Sequence, residues 1–318
     1  MFILGAGLSG LIAAHYFRDY NPGIFEKNPG PIDNHGALLR FRSDAVMQIT
    51  NAPLRPVRVT KSIMDYNYKI KNECTLKDAN AYSYKVTGKV QARSIIDLSP
   101  VDRWVAENNF MEKLRENIDI QYDHNFNMSQ LEEDDFTGEP IISTIPITFF
   151  YNQLADVDNL LDFESKEIIT FQATFENVDI NQTVYLPYGE YEPYRVSFTG
   201  NKLIGEIVNT KPGIQLERPE MIKQLLDRIL PAWLSFKPGM TSGLKISKQK
   251  YGKISPIDNR ARQRLIAEIT NKWNVYSLGR FATWRQILAD DVVNDLRVIR
   301  KLIESDKYSR KIHWHKET

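Results

Sequence analysis

The chain opens on four apolar residues, Met1 to Leu4, and then breaks into Gly5-Ala6-Gly7-Leu8-Ser9-Gly10. Beyond the glycines, apolar residues at 8, 11, 12 and 16 fall on one helix face. Asn21-Pro22-Gly23 stops that helix, and Ile24-Phe25 opens a second short strand ending at Glu26. Residues 27 to 60, rich in Pro, Gly and Arg, predict loops around short elements. Residues 61 to 99 carry short polar and aromatic runs (Tyr66, Tyr68, Tyr82, Tyr84) and predict a small inserted lobe. A helix is predicted over 100 to 117, with Val101, Trp104, Val105 and Leu114 on its apolar side. Strands are predicted over Ile118 to Tyr122 and over Pro140 to Pro146. Four β-prone runs then follow one another, Ile168 to Phe175, Thr183 to Leu186, Tyr194 to Phe198 and Leu203 to Val208, separated by turn residues. A helix from about Pro219 to Leu230, a strand from Trp273 to Leu278 and a helix from Asp290 to Glu304 complete the pattern.

Strand, glycine turn, helix, strand and acid within 26 residues make the context in which G-x-G-x-x-G carries information. Gly5 permits the tight turn, Gly7 lets the backbone approach a diphosphate, and Gly10 lets helix and strand pack closely. The N–H groups of Leu8 and Ser9 belong to the first helical turn, whose dipole favours an anion. Glu26, 21 residues after Gly5, is placed to accept hydrogen bonds from a ribose. The chain is therefore read as α/β. A Rossmann-type dinucleotide-binding domain is assembled from residues 1–60, 100–150 and 250–318. The lobe at 61–99 is inserted in it, and a second antiparallel-sheet substrate domain spans 151–249.

Composition narrows the chemistry. The 318 residues suffice for one large domain or two interleaved ones. A net charge of +1, from 41 Lys and Arg against 40 Asp and Glu, gives no overall field for nucleic acid or an anionic membrane. Local basic stretches exist at Arg40, Arg42, Arg55, Arg58 and Lys61 and at Lys307, Arg310, Lys311 and Lys316, where contacts to nucleic-acid phosphates would fall. Their alternative reading is as solvated basic faces and cofactor diphosphate contacts. The single cysteine, Cys74, excludes an intramolecular disulfide, a Cys-based zinc site and a redox pair, and suits a reducing cytoplasm. The five histidines lack metal-ligand spacing, so no metal site is expected. No run approaches ~18 apolar residues, so no membrane span is expected. The opening run reads as a strand rather than a leader.

Three segments carry a resemblance. Glu26-Lys27 is followed by Gly30, Gly36 and Arg40, a loop that resembles the second glycine motif of flavoproteins of the glutathione-reductase-like superfamily. In those proteins the first strand–helix unit binds the ADP half of FAD. The run from Pro140 to Pro146, with Thr144 before its last proline, resembles the Thr-x-Pro strand end of the amine-oxidase branch. The segment from Tyr276 to Trp284, then Asp290, resembles the late flavin-binding motif of UDP-galactopyranose mutases and related amine-oxidase-like flavoproteins, through Gly279, Arg280, Trp284 and Asp290. The resemblance implies non-covalent FAD, with Gly279-Arg280 near the flavin and Arg280 turned to the cofactor or a substrate anion. Trp284 would wall the pocket, and Asp290 would either contact the cofactor or cap a helix. A compact, phage-type member of this group is one form the resemblance takes. No second G-x-G-x-x-G is present for NAD(P)H.

The resemblance implies an FAD-dependent oxidoreductase that oxidises a C–N bond of an amine or amino-acid-like group. Its substrate would be a small or nucleotide-linked amine, an amino-acid adduct on a modified DNA base among them. Two alternatives stay open: a redox-neutral sugar-ring mutase and a flavin-binding protein without turnover. The mutase motif carries a second aromatic and an acid where this chain has Gln286 and Leu288. Candidate substrate-side residues follow from placement. His35, before Gly36, is a proton carrier or an ordinary loop residue. Arg195, in an aromatic run on the second sheet, holds a carboxylate or phosphate or pairs with a nearby Glu. Lys253, after Tyr251-Gly252, resembles a segment that lies beside the flavin.

Overall fold

The computed structural model describes residues 1–31, 38–92, 94–107, 109–132, 136, 138–154, 161–189, 192–208 and 218–314. Strand β1 (Phe2–Leu4), helix α1 (Leu8–Tyr16) and strand β2 (Gly23–Phe25) flank the glycine turn as its spacing predicts. Next come β3 (Arg40–Phe41), α2 (Ala45–Thr50), the long β4 (Leu54–Met64) and its short return β5 (Ile70–Lys71). Helix α3 (Leu76–Thr87) begins at a capping box in which Thr75 and Asp78 satisfy each other's backbone N–H groups. Then follow β6 (Val101–Ala106), α4 (Phe110–Arg115), β7 (Ile120–Gln121), β8 (Ile141–Ser143) and α5 (Thr148–Tyr151). Four strands run in succession, β9 (Ser165–Thr174), β10 (Ile180–Tyr185), β11 (Pro193–Gly200) and β12 (Lys202–Val208). The chain closes with α6 (Pro219–Leu234), β13 (Lys245–Ile254), α7 (Asn259–Trp273), β14 (Val275–Ser277), α8 (Gly279–Ala282) and α9 (Ala289–Trp314).

Two sheets organise these elements. The first is parallel, in the order β14-β8-β1-β2-β7. Strands β14, β8, β1 and β2 are largely buried, which is why they read as mostly apolar runs, whereas the edge strand β7 has Gln121 exposed. Ile3, Ile142 and Tyr276 pack with α1 and α9, whereas Leu4, Ile141 and Val275 pack with α5 and α7. The second sheet runs β13-β9-β12-β11-β10-β4-β6-β3, with β5 beside β4. Its pairs are antiparallel except β10 with β4.

The second sheet has two unlike faces. On one, Ile169, Phe171, Val184, Val196, Phe198 and Leu203 pack against Ile222, Leu225, Leu226 and Ile229 of α6. On the other, alternate residues are polar and nevertheless buried: Thr170, Gln172, Thr183, Ser197 and Glu206 are each 6% exposed or less. Burying polar groups costs free energy unless each finds a partner. Thr170 meets Ser247 at 2.7 Å and Thr183 meets Ser197 at 2.9 Å, so the face carries its own hydrogen-bond network.

The helix expected over 100 to 117 is a strand and a shorter helix. Val101 and Val105 sit four apart, a spacing common to one helix face and one strand face. The pairing of β6 with β4 decides for the strand by joining them to Val57 and Val59. The large sheet also takes in β3, β4 and β6, which the sequence pattern had grouped with the dinucleotide unit. Strand β13 and helix α7 were not anticipated. β13 lies at a sheet edge and is mostly polar, and α7 is polar over most of its surface.

The turn after β1 depends on glycine at two of its three glycine positions. Gly5 has φ +96°, and a Cβ there would lie 2.5 Å from Thr144 Oγ1. A Cβ on Gly10 would overlap the Gly5 carbonyl oxygen, so α1 rests directly on the turn. A Cβ on Gly7 would meet nothing within 4 Å. We therefore expect Gly10→Ala to cost about 3 kcal/mol or more, because backbone meets backbone. Gly7→Ala should change the stability of the unliganded chain by no more than about 1 kcal/mol. Urea unfolding of the two variants checks the contrast.

Candidate functional site

The parallel sheet places its topological switch between β1 and β8, because the chain runs outward from β1 through β2 to β7 and then returns to the other side. In open α/β sheets the ligand crevice opens there, at the carboxyl ends of the strands. Gly5, Glu26 and Thr144 directly follow three such ends, and Gly279 lies two residues past the fourth. Helix α1 points its N-terminus into the crevice with Gly7 as N-cap, no capping side chain and no acid in its first turn. The first intrahelical bond is from Leu11 N–H to Gly7 O, which leaves the N–H groups of Leu8, Ser9 and Gly10 outside the helical ladder.

Glu26 is buried at the end of β2. Its Oε2 accepts from the Ala6 N–H at 2.8 Å, and its Oε1 accepts from the Asn28 backbone at 2.9 Å and the Asn28 side chain at 2.6 Å. A carboxylate offers about four lone-pair sites, so the side chain is fixed in place and keeps capacity for one further donor. Lys27 beside it is exposed. The Thr144 hydroxyl donates to Leu4 O at 2.8 Å and stands against Gly5, clasping the turn from β8.

The late segment returns to this crevice. Strand β14 pairs with β8, and Gly279 follows it with φ +86°. A Cβ on Gly279 would lie 2.6 Å from Ser9 Oγ, so α8 starts in contact with the first turn of α1. Arg280 follows this junction, and burial lowers its guanidinium pKa against the opposing pull of Tyr194 and Glu206. Its Nη2 donates to Gln286 Oε1, and its Nε is buried with no partner among the described residues.

Arg195 and Glu206 form an ion pair on the polar sheet face, and the Tyr194 hydroxyl donates to the same carboxylate. A register shift between Pro193 and Arg195 lets two consecutive residues of β11 reach one carboxylate of β12. Burial raises the Glu206 carboxyl, but Arg195 and Lys253 outweigh it and hold the group below its ordinary value near 4.5. Burial and Glu206 push the Tyr194 phenol well up. Lys253, on β13, stands 4.8 Å from the centre of the Tyr194 ring. Arg40 reaches the same face from β3, donating to Thr183 Oγ1 at 2.8 Å, to Thr199 Oγ1 and to Phe198 O. Burial, with Arg195 nearby, pushes its guanidinium down to about 9, so it stays charged at neutral pH.

The sequence-derived site thus separates into three groups. Gly5, Gly7, Leu8, Ser9, Gly10, Glu26, Thr144 and Gly279 meet at the switch point. Arg40, Arg195, Lys253 and Arg280 gather on the polar sheet face. Trp284 and Asp290 serve the scaffold. The Trp284 indole is 2% exposed, donates to Ser255 O at 3.0 Å and packs edge-on against Phe163. Asp290 accepts from the Arg42 and Ser43 N–H groups, each at 2.9 Å, and ties that loop to α9. The helix-cap contact belongs instead to Asp291, which accepts from Leu288 N–H at 2.8 Å. His35 and Gly36 lie outside the described residues.

Glu206 and Tyr194 were missed as site residues. Their signal was the alternation Arg195-x-Ser197-x-Thr199 opposite Lys202-x-Ile204-x-Glu206, polar positions interleaved with apolar ones in strands whose two faces are both covered. Of the basic stretch, Arg42 pairs with Asp291, Arg58 with Asp102, and Lys61 donates to Asp97 O. Among the described residues, no three His, Cys, Asp or Glu side chains are grouped to hold a metal ion, and no helix is long and apolar enough to cross a membrane.

The parallel sheet with its glycine turn, joined to a mixed sheet that faces the crevice, is the architecture of the FAD-binding Rossmann-type flavoproteins. Reduced UDP-galactopyranose mutase superposes with a TM-score of 0.63 at 13% identity, over 95% of this chain and 93% of that one. A CLA-producing fatty acid isomerase from P. acnes gives 0.57 at 11%, over 94% and 97%. A geranylgeranyl bacteriochlorophyll reductase-like protein from Thermoplasma acidophilum gives 0.50 at 14%, over 96% and 79%. At these identities the likeness is one of fold. No protein-family model and no curated protein matches the sequence.

The Glu206 carboxylate carries a pH signature. Its value in the folded chain lies below the unfolded one, so its contribution is complete above about 4.5 and is lost as pH falls through the lower folded value. Glu206→Gln leaves Arg195 without its counter-charge. It should cost roughly 3 kcal/mol at pH 7 and flatten the acid limb of stability below pH ~4.5. Urea midpoints measured from pH 3 to 7 check both.

Proposed function

We propose that this chain binds FAD non-covalently at the switch-point crevice and works as an FAD-dependent oxidoreductase. The observation that carries the reading is the open space at Gly7. A glycine at the N-cap of a helix without a capping side chain, with nothing within 4 Å of its would-be Cβ, is a cradle for a diphosphate. The Leu8, Ser9 and Gly10 N–H groups would hold the diphosphate, and Glu26 would take a ribose hydroxyl. Bound there, FAD supplies a two-electron acceptor that no side chain of the chain provides.

The reaction proposed is oxidation of a C–N bond in an amine or amino-acid-like group lying between the crevice and that face. Arg195, Lys253 and Arg280 line the substrate side, and Glu206 with Tyr194 fixes Arg195. A redox-neutral sugar-ring isomerase is the second reading, favoured by the superposition on UDP-galactopyranose mutase. Gln286 and Leu288 weigh against it. Gln286 is engaged by Arg280 and by Ile254 O, and Leu288 is 44% exposed.

The purified protein should be yellow and release intact FAD on heating or in acid. Gly7→Leu should keep its circular dichroism spectrum yet hold no flavin after reconstitution. Recovery of NAD alone, or no flavin uptake by the unaltered chain, overturns the cofactor reading. Anaerobic bleaching of the flavin by an amine supports oxidation. Turnover of a nucleotide sugar only after chemical reduction supports the isomerase.

A further inference from the structure

Among the described residues, three arginines, Arg40, Arg195 and Arg280, meet at the polar face of the large sheet, and Glu206 is paired with one of them, Arg195. Glu206 is the carboxylate whose charge acts on both Arg195 and Arg280. It is already engaged by the Arg195 guanidinium and the Tyr194 hydroxyl, and Lys253 acts on it as well. Arg40 spends its donors on two threonine hydroxyls and one carbonyl, all neutral. Arg280 donates from Nη2 to the neutral Gln286, and its Nε is buried without a partner among the described residues. A buried, unsatisfied guanidinium N–H beside a second arginine is an arrangement a folded chain keeps at a cost.

The direction of Arg280 narrows what would satisfy it. The residue starts at the junction of Gly279 with Ser9, where a cofactor diphosphate would lie against α1. Its guanidinium, however, donates to Gln286, whose own side chain donates to Ile254 O at the end of β13 of the large sheet, on the side where Tyr194, Glu206 and Arg195 act on its charge. The backbone N–H groups of the α1 terminus already suit the diphosphate. The partner missing from Arg280 therefore belongs to whatever occupies the sheet side of the crevice.

We propose that Arg280 is the anion receptor of the substrate site, and that the substrate presents a carboxylate or a phosphate to it. Arg195, neutralised by Glu206 and held by Tyr194, is a positioning residue that shapes the pocket. The inference rests on the reading of the crevice as a flavin site and adds the class of substrate: an amine that also bears an anionic group. A guanidinium donates to either anion in a fixed planar geometry.

The test uses the full chain reconstituted with FAD. Acetate and inorganic phosphate are titrated separately, with acetamide as the neutral control, by calorimetry and by the flavin difference spectrum. Binding of acetate, phosphate or both, without acetamide, is expected. Arg280→Met should weaken that binding by at least ~10-fold while keeping its FAD content, and Arg280→Lys should recover part of it. Acetate stronger than phosphate assigns a carboxylate substrate, and the reverse order assigns a phosphate-bearing one. Unchanged anion affinity in Arg280→Met overturns the proposal. So does loss of FAD from a folded Arg280→Met, or competition between phosphate and FAD, either of which makes Arg280 a cofactor contact. The same titrations on flavin-free protein, read by calorimetry alone, separate this inference from the cofactor reading. If the chain takes up no FAD but still binds anions through Arg280, only the cofactor reading falls.

Discussion

Two contacts made at glycines hold this molecule in its working arrangement. Gly10 rests on the carbonyl of Gly5, and Gly279 rests on Ser9. The first fixes α1 against the turn from β1, so that the helix's free N–H groups face the crevice. The second brings a late segment of the chain onto that same helical turn. A methyl group at either place would displace backbone or a short side chain with little freedom to yield. The switch-point residues gather around this double seat: Glu26 at the end of β2, Thr144 at the end of β8, and Arg280 one residue past Gly279.

The large sheet answers the same constraint from the other side. Its apolar face is closed by α6, as an ordinary sheet requires. Its second face, turned toward Arg40 and Arg280, is polar and buried, and part of it is covered by α3 through Tyr82 and Val86. A protein that needed this sheet only for stability would do as well with apolar residues at Thr183, Ser197 and Glu206, since replacing buried polar networks by well-packed apolar groups is often neutral or stabilising. The polar face is thus the part of the sheet that the proposed chemistry of the crevice would use.

The parts legible in the sequence were those written in local terms. The glycine turn, α1 and Glu26 could be read because spacing, helix period and turn residues all fall within 26 positions. The runs that became β9 to β12 were legible as strands, and the Gly279 segment through its resemblance. What escaped was set by partners far along the chain. Val101 and Val105 fit helix and strand alike until β4 pairs with them. β13 is too polar to announce itself, because it is an edge strand. Arg40 looked like a cofactor ligand from its place after the glycines, but its donors are taken by Thr183 and Thr199, more than a hundred residues later. Glu206 stayed hidden because its meaning comes from a bulge that brings Tyr194 and Arg195 to one carboxylate.

The seat of Gly279 on Ser9 also has a temporal side. Strand β1 and helix α1 leave the ribosome well before β8, the neighbour of β1, which begins at Ile141, and Gly279 comes more than two hundred residues after Gly10. At ~5–20 residues per second, the glycine turn waits on the order of tens of seconds for the segment that completes its crevice. Until β8 emerges β1 has an unpaired edge, and until Gly279 emerges the nascent chain has half a cradle. The finished crevice is therefore a late product of translation, and a ribosome that stalls before β14 releases a chain whose opening motif is intact in sequence but has nothing to close against.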